Sequence, residues 1–345
     1  MRLFWLVFFL YLSSFIFSQS GGESSYQVLN VPFSARTASL GTDFISVLDK
    51  DVQLSISNPC LLNSSMHKKL AFSQGVYGAT QLGSLVYAKS IDSSRTFSLN
   101  LRNINYGNLR RFDTKGNEIG TFYSGDFVLG SGFAKKINPV MGIGVQANLI
   151  YSQLESYASF AGGIDFSSYY QFLKHKTFIT IIAKNIGGVI KPYIKNQKLH
   201  FPLEVQMAIS HQLKHAPFRI SILAHNLNRW DLTYFDPNKS REIDPLTGDT
   251  LNVPKAKFSE KLFRHFTYQA ELLLSKNIHF RLAFDYHRRK ELKVNEKPGI
   301  AGFSFGVGLM FKRIQLDYGF VCYSASGYGN FLTLSTNLNH WKRNE

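Results

Sequence analysis

The stretch "AGFSFGVGLM" at residues 301–310 allows two structural interpretations. It contains Gly302-x-Ser304-x-Gly306, the G-x-S-x-G pattern of a hydrolase nucleophile elbow, which requires a strand, a sharp turn and then a helix. Read at alternate positions, the stretch is apolar at its odd-numbered residues and small or polar at most positions between them. Glycine disfavours a helix, whereas alternation with period two is typical of a β-strand. The stretch therefore predicts a strand with one apolar and one small, polar face.

The same alternation recurs along the chain and predicts an all-β protein. Counting 301–310, we expect about fourteen strands, many near the ~9–11 residues with which a tilted strand crosses a bilayer. The other clear segments lie at 97–102, 141–151, 205–210, 218–225, 266–272, 280–287 and 314–320, and weaker ones at 68–77, 81–91, 125–135, 157–172, 176–187 and 329–340. An even strand number suits a bacterial outer-membrane barrel.

Composition supports a membrane barrel over a soluble sheet protein. Aromatic residues make up 14% of the chain, with 30 Phe and 17 Tyr, yet no apolar run after residue 20 approaches the ~18 residues of a membrane helix. Strands that are apolar on one face only produce this combination. We predict a transmembrane antiparallel β-barrel over residues 68–340, located in the outer membrane.

The connections between the predicted strands alternate in length. Those after even-numbered strands are tight, for example 135–139, 214–217, 275–277 and 312–313. Several after odd-numbered strands are long, at 106–118, 187–200 and 229–260. Outer-membrane barrels combine short periplasmic turns with longer extracellular loops. The long connections, 229–260 above all, are therefore predicted to face the cell exterior.

The two chain ends are predicted to lie outside the barrel. Residues 1–20 have a cation at Arg2, an apolar run and small residues at the end, which indicates a signal peptide, with a membrane anchor as the alternative. Residues 341–345 are predicted to be a short tail. Two cysteines, Cys60 and Cys322, are expected to be free or buried, although export would permit a disulfide.

Ionisable residues in the predicted strands fall on the face opposite the apolar one. A charged Arg or Lys facing lipid at the bilayer midplane costs about 2–4 kcal/mol, so these residues are expected to line the lumen. They are Arg102, Arg219, Glu271, Arg281, Asp285 and Asp317. Their expected role is to pair with one another or with a plug; a proton or ion path is the alternative.

Residues 21–67, here called the N-terminal segment, differ in character from the strands. They contain Pro32, Gly41 and Asn58-Pro59 and only short apolar runs. Such a segment ahead of a barrel predicts a plug in the lumen, where Arg36, Asp49 and Asp51 could pair with the lumen charges. A disordered leader is the alternative, and the apolar content argues against it.

The N-terminal segment also carries a recognisable pattern: P-x-x-A-R, L-G, D-x-D and N-P-x-x-L. It resembles the FadL-like barrels of the Bacteroidetes type IX secretion system, a family that includes PorV-related proteins. Later stretches, such as "LKHAPFRISILAHNLNRWDLTYFDP" and "RLAFDYHRRKELKVNEKPGIAGFSFGVGL", are similar to the PorQ-like members. Thr42 departs from the pattern, because relatives commonly carry glycine there. The pattern residues are Pro32, Ala35, Arg36, Leu40, Gly41, Asp49, Asp51, Asn58 and Pro59.

The resemblance implies a protein that is not an enzyme and needs no cofactor or metal. It implies an outer-membrane part of the secretion and attachment machinery that holds a PorZ-like surface protein, with other secretion barrels and lipopolysaccharide as further contacts. Four residues that open the longest outer connection are candidates for partner binding: Trp230, Asp231, Tyr234 and Phe235. Aromatic residues are enriched in protein interfaces and equally in the interfacial belt of membrane proteins, and both interpretations stay open.

Other functional classes are less well supported. A FadL-type transporter of hydrophobic small molecules is the alternative, and it would require an apolar lumen where the charges predict a polar, occupied one. A hydrolase is disfavoured because no helix is predicted after Ser304, and no Cys/His cluster has zinc spacing. The formal charge of +16 could indicate nucleic acid, but in an exported protein it favours lipopolysaccharide or an acidic protein, or simply a solvated basic surface.

Overall fold

The computed structural model describes residues 24–233, 256–293, 299–324 and 327–341. Fourteen strands lie in these ranges, and they are connected by turns, loops and short helices. The strands are β1 Lys69–Tyr77, β2 Thr80–Ser90, β3 Arg95–Phe112, β4 Glu118–Asn138, β5 Met141–Leu154, β6 Tyr157–Phe172, β7 Thr177–Lys191, β8 Glu204–Gln212, β9 Phe218–Ala224, β10 Phe266–Leu273, β11 Ile278–Asp285, β12 Phe303–Phe311, β13 Ile314–Ser324 and β14 Gly327–Asn337. The helices are α1 Ala35–Ser39, α2 Leu54–Ser57, α3 Phe258–Phe263 and α4 Tyr286–Leu292.

The strands form one closed antiparallel barrel. Each pairs with its neighbours in the chain, and β1 pairs with β14 to close the ring, with Lys69 opposite Asn337 and Tyr77 opposite Gly329. Closure leaves no strand edge without a partner, which is the condition for a sheet to lie in hydrocarbon. The predicted fourteen-strand barrel of the outer membrane is thereby confirmed. No helix among the described residues is long and apolar enough to cross a membrane.

The two faces of the barrel wall differ as the alternation predicts. On β3, Leu99 and Leu101 are about half exposed, at 47% and 50%, whereas Asn100 and Arg102, which alternate with them, are buried. Large apolar side chains cover the outside all around the ring. Because successive side chains of a strand point to opposite faces, the polar set is directed inward, away from lipid.

Three features of the strands differ from the sequence-based expectations. The connection predicted at 106–118 is mostly strand, since β3 and β4 continue as a long hairpin to Phe112 and from Glu118. The strand predicted at 280–287 was wrong at its end, because β11 stops at Asp285. The Asp285 carboxylate accepts a hydrogen bond from the Arg288 backbone N–H and caps the start of α4. β12 begins only at Phe303, because Gly302 turns the chain with a φ of 87°.

The N-terminal segment lies inside the barrel over its described part, from Ser24 onward. The Ala35 backbone N–H donates to the Thr333 hydroxyl on β14 at 2.8 Å, and the Cys60 N–H donates to Ser167 on β6 at 3.0 Å. The side chain of Gln269 on β10 donates to a backbone carbonyl of the segment at 2.7 Å. These partners come from opposite sides of the ring and all lie on the inward face, so the segment occupies the lumen.

The segment runs the length of the lumen, from the end with the long connections to the end with the tight turns. At its start, the Ser25 N–H donates to the His200 carbonyl in the β7–β8 connection at 2.9 Å. At its other end, the Lys69 ammonium donates to the Lys50 carbonyl at 2.8 Å, beside the start of β1. If long connections are extracellular, the segment therefore begins at the cell surface and ends at the periplasm.

This path predicts which positions a membrane-impermeant maleimide reaches in intact cells. Gln27→Cys, at the long-connection end, should be labelled, and Ser93→Cys, in the tight β2–β3 turn, should be labelled only after the outer membrane is permeabilised. Both native side chains are exposed, and Cys60 and Cys322 are buried, so the parent protein provides an unlabelled background. Labelling of Ser93→Cys alone in intact cells would reverse the orientation.

Candidate functional site

The ionisable residues of the lumen meet at the carboxylate of Glu271. Arg36 of the N-terminal segment donates through Nε to Oε1 at 3.0 Å and through Nη2 to Oε2 at 3.2 Å. Arg219 donates to Oε2 at 2.6 Å and Arg281 to Oε1 at 3.4 Å. Strand register produces this geometry, because Glu271 on β10 lies opposite Arg219 on β9 and opposite Arg281 on β11. Three guanidinium groups thus surround one carboxylate that is 1% exposed.

Further carboxylates balance the three arginines. Arg36 pairs with Asp49 at 2.7 Å and with Asp51 at 3.3 Å, both in the N-terminal segment. Arg281 pairs with Asp317 on β13 at 2.7 Å. We call these seven residues the Glu271 cluster: Arg36, Asp49, Asp51, Arg219, Glu271, Arg281 and Asp317. Its charges nearly cancel, and it joins the segment to four strands, β9, β10, β11 and β13.

Two of the six predicted lumen charges lie outside the Glu271 cluster. Arg102 is buried between β3 and β5, where one Nη donates to Asn148 at 2.5 Å and the guanidinium lies over the Phe33 ring at 5.7 Å. Asp285 caps α4 and pairs loosely with Arg288 at 3.6 Å. Arg102 therefore interacts mainly with the neutral Asn148 amide and the Phe33 ring, and Asp285 acts as the N-terminal cap of α4.

The sequence analysis missed a second ion pair between the N-terminal segment and the wall. Asp43 accepts hydrogen bonds from Lys184 on β7 and from Gln206 on β8, each at 2.9 Å. Lys184 continues the inward positions Phe178, Thr180 and Ile182 of β7, so the alternation contained the signal. Its partner Asp43 could not be identified, because the segment has no strand period.

The residues of the N-terminal pattern have identifiable structural roles. Leu40 is fully buried, and Gly41 has a φ of 87° that favours glycine and leaves no room for a Cβ beside Thr267. Asn58 accepts from the Cys60 N–H, Pro59 follows at the first position of the turn, and the Asn58 amide donates to Thr180 at 3.0 Å. Pro32 and Ala35 are buried, and the Ala35 N–H bonds the wall.

The backbone at Thr42 has a conformation that favours glycine. Its φ is 103°, in the left-handed region that L-residues rarely occupy. The Thr42 hydroxyl accepts a hydrogen bond from Arg288 of α4 at 2.5 Å. The threonine thus links the N-terminal segment to a helix at the long-connection end, which glycine could not do.

Trp230 and Asp231 belong to an ordered cluster at the long-connection end. Trp230 is 51% exposed and packs on Phe258 and His265, with ring centroids 5.3 and 5.8 Å apart. Asp231 pairs with Lys261 at 2.5 Å, and although partial burial opposes the effect, hydrogen bonds from Lys261 and Thr233 lower the Asp231 pKa. Tyr234 and Phe235 lie outside the described residues.

Helices α3 and α4 are tied together next to this cluster. Arg264 bridges Glu260 and Glu291, at 3.3 Å to each. Burial, together with the nearby His225 ring, lowers the pKa of His287 to about 4, so this imidazole is neutral at pH 7. The part of the chain that carries Trp230 and Phe258 is therefore stabilised by ion pairs between α3 and α4.

Ser304 lacks the surroundings of a catalytic nucleophile. It is fully buried on β12, and that strand continues to Phe311 without a helix after the serine. Its hydroxyl has no hydrogen-bond partner among the described residues. Over all the residues that the structure describes, no group of three or more His, Cys, Asp or Glu side chains could hold a metal ion.

Comparison with solved structures relates the barrel to outer-membrane channels. The toluene transporter TodX of Pseudomonas putida aligns with a TM-score of 0.53 at 12% identity, over 88% of this chain and 96% of that one. The toluene transporter TbuX of Ralstonia pickettii aligns with a TM-score of 0.54 at 12% identity, over 90% and 100%. The monoaromatic hydrocarbon channel CymD aligns with a TM-score of 0.51. This likeness concerns the fold alone. No family model and no curated protein matches the chain.

The Glu271 cluster predicts a large effect of a neutral replacement. Glu271→Gln removes the buried carboxylate that Arg36, Arg219 and Arg281 share, and breaking a buried pair costs about 3–5 kcal/mol. We expect the free energy of unfolding to fall by about 3 kcal/mol, measured by urea unfolding in detergent micelles. Arg95→Gln removes an exposed pair with Asp92 and is the control, with no measurable change expected. Equal stability of the two variants would mean that the cluster is not a structural tie.

Proposed function

We propose that the protein is a non-enzymatic outer-membrane barrel of a type IX secretion and attachment system, similar to PorQ. In this proposal it anchors a PorZ-like surface protein at the cell exterior, and the N-terminal segment acts as a permanent plug. The single observation that supports this most is the occupied lumen. Arg36 and Asp43 of the segment are ion-paired to residues on two different strands of the wall, Glu271 on β10 and Lys184 on β7.

Beside β7, the interior leaves no room for a hydrophobic solute. Between the segment and β7 there is a cavity of only about 10 Å³, lined by residues that include Asp43, Gln53 and Lys184. That is about the space of one water molecule. Opening a path would separate buried charges, and breaking one such pair already costs several kcal/mol. A structural barrel needs no such opening, whereas a channel does.

The long-connection end offers a surface suited to a protein partner. Trp230 and Phe258 are 51% and 68% exposed, and their rings contact each other at 5.3 Å beside the paired helices α3 and α4. Exposed aromatic side chains on rigid supports are favoured as interface anchors, because little conformational entropy is lost on binding. Contact with the anionic lipopolysaccharide that surrounds a surface partner would be compatible with the net charge of +16.

A pull-down tests the docking surface. The double variant Trp230→Ala/Phe258→Ala should lose the co-purifying surface protein, detected by mass spectrometry of detergent-solubilised complexes. The control is Trp341→Ala, an equally exposed tryptophan at 56%, which lies over Arg313 at the tight-turn end. Trimming residues 232–256 should have the same effect as the double variant.

The contrary result is equally specific. If both long-connection variants fold as heat-modifiable barrels and still retain the partner, while Trp341→Ala does not, the docking surface lies at the opposite end. Retention by all three variants would place docking elsewhere and remove the role of the Trp230 cluster.

Transport of hydrophobic small molecules, as in FadL-type channels, is the second candidate. The observation in its favour is the likeness of the fold to TodX and TbuX, solved as toluene transporters. A channel function for this chain would require that the N-terminal segment move, because its present position blocks the lumen between the strands.

Planar-bilayer recordings separate the two candidates. Intact protein should give no steady conductance, and Arg36→Ala should give frequent brief openings because it releases the segment from Glu271 in the barrel wall. Arg95→Ala should behave like the parent protein. Large steady currents from the parent, together with toluene uptake by cells that express it, would favour the transport function.

A further inference from the structure

A second cavity lies at the tight-turn end, between the N-terminal segment and the periplasmic turns. Its volume is about 680 Å³, well within the ~300–1,000 Å³ range of small-molecule sites. The walls come from residues 48–51 and 62–65 of the segment, from Ser93 and Ser94 of the β2–β3 turn and from the ends of several strands. Unlike the closed space beside β7, this cavity opens to the end at which β1 begins.

The charges that line this cavity are unequal. Six cations face it: Arg36, Lys50, Lys136, Arg219, Lys276 and Arg281. Only two carboxylates line it, those of Asp49 and Asp51, and both are already held by Arg36. The arginines are satisfied within the Glu271 cluster, so the excess positive charge belongs to the lysines.

The three lysines come from three separate parts of the chain. Lys50 is in the N-terminal segment, Lys136 is near the end of β4, and Lys276 is in the β10–β11 turn. Within the described residues, none of them takes part in an ion pair. A fourth lysine, Lys69, lies beside Lys50. Its ammonium donates a hydrogen bond to the Lys50 carbonyl at 2.8 Å.

A partly enclosed cavity whose lining carries an excess of positive charge concentrates anions. The cavity is too small for a folded protein surface and is large enough for a compact molecule with several charged groups. Lysine is a common ligand of phosphate, which it binds as a point charge. We propose that this cavity binds a polyanion that carries at least two phosphate or carboxylate groups and enters from the periplasmic side.

Lys135, the residue before Lys136 on β4, allows anion binding in the cavity to be distinguished from binding at the membrane surface. Lys135 and Lys136 are adjacent on the strand, so their side chains point to opposite faces. Lys136 lines the cavity, whereas Lys135 borders an apolar groove on the lipid-facing wall, beside Phe133 and Ile143. Lys135 is therefore placed to meet the phosphates of membrane lipids, and Lys136 is not.

Titration calorimetry with inorganic tripolyphosphate tests the proposal on the full chain in neutral detergent. Lys136→Gln and Lys276→Gln should each weaken binding about tenfold, as expected for the loss of one charge-assisted contact. Lys135→Gln, the matched control, should bind like the parent protein. Binding of the parent should weaken as the salt concentration is raised, because exposed charges are screened.

Two outcomes would overturn the inference. One is an absence of tripolyphosphate binding by the parent protein at low salt. The other is a loss of binding in Lys135→Gln with Lys136→Gln unaffected, which would assign the anion to the outer surface and to lipid headgroups. All four proteins must first show the same heat-modifiable migration, which the exposed position of these lysines favours. The outcome is independent of the docking surface, because none of these residues lies at the long-connection end.

Discussion

A charge that faces inward in a closed barrel must find its partner inside the barrel, and the structure depends on this constraint. Lipid covers one face of every strand, so Arg219, Glu271 and Arg281 cannot turn outward without a cost of several kcal/mol. Their strand positions bring two cations against one carboxylate, and Asp317 on β13 pairs with one of those cations, Arg281. Arg36 adds a third guanidinium group to Glu271, and Asp49 and Asp51 pair with Arg36. The segment and the barrel are therefore one electrostatic unit.

The alternating pattern predicted much of the wall, because a period of two follows directly from strand geometry and lipid contact. The count of fourteen strands and the inward set that includes Arg281 and Asp317 came from that rule alone. The rule says nothing about where a strand gives way to another element. It therefore extended β11 past Asp285, whose role as a helix cap depends on backbone geometry three residues further on.

The N-terminal segment was only partly predictable, for a different physical reason. Its residue pattern identified Arg36, Asp49 and Asp51 as candidates for pairing, but no local period states which wall residue each would meet. The pair of Asp43 with Lys184, and the hydroxyl of Thr42 against Arg288, arise from the path of the chain through the lumen. Long-range contacts of this kind follow from the complete barrel and cannot be obtained from spacing.

A shared fold does not require a shared function, and this barrel illustrates why. The toluene transporters that it resembles have the same ring of strands, but the contents of the lumen decide whether anything passes. Here a segment lies in the described interior and is held at Glu271 on β10 and at Lys184 on β7. A segment anchored at two separated points resists both rotation and withdrawal, because either motion breaks a buried pair.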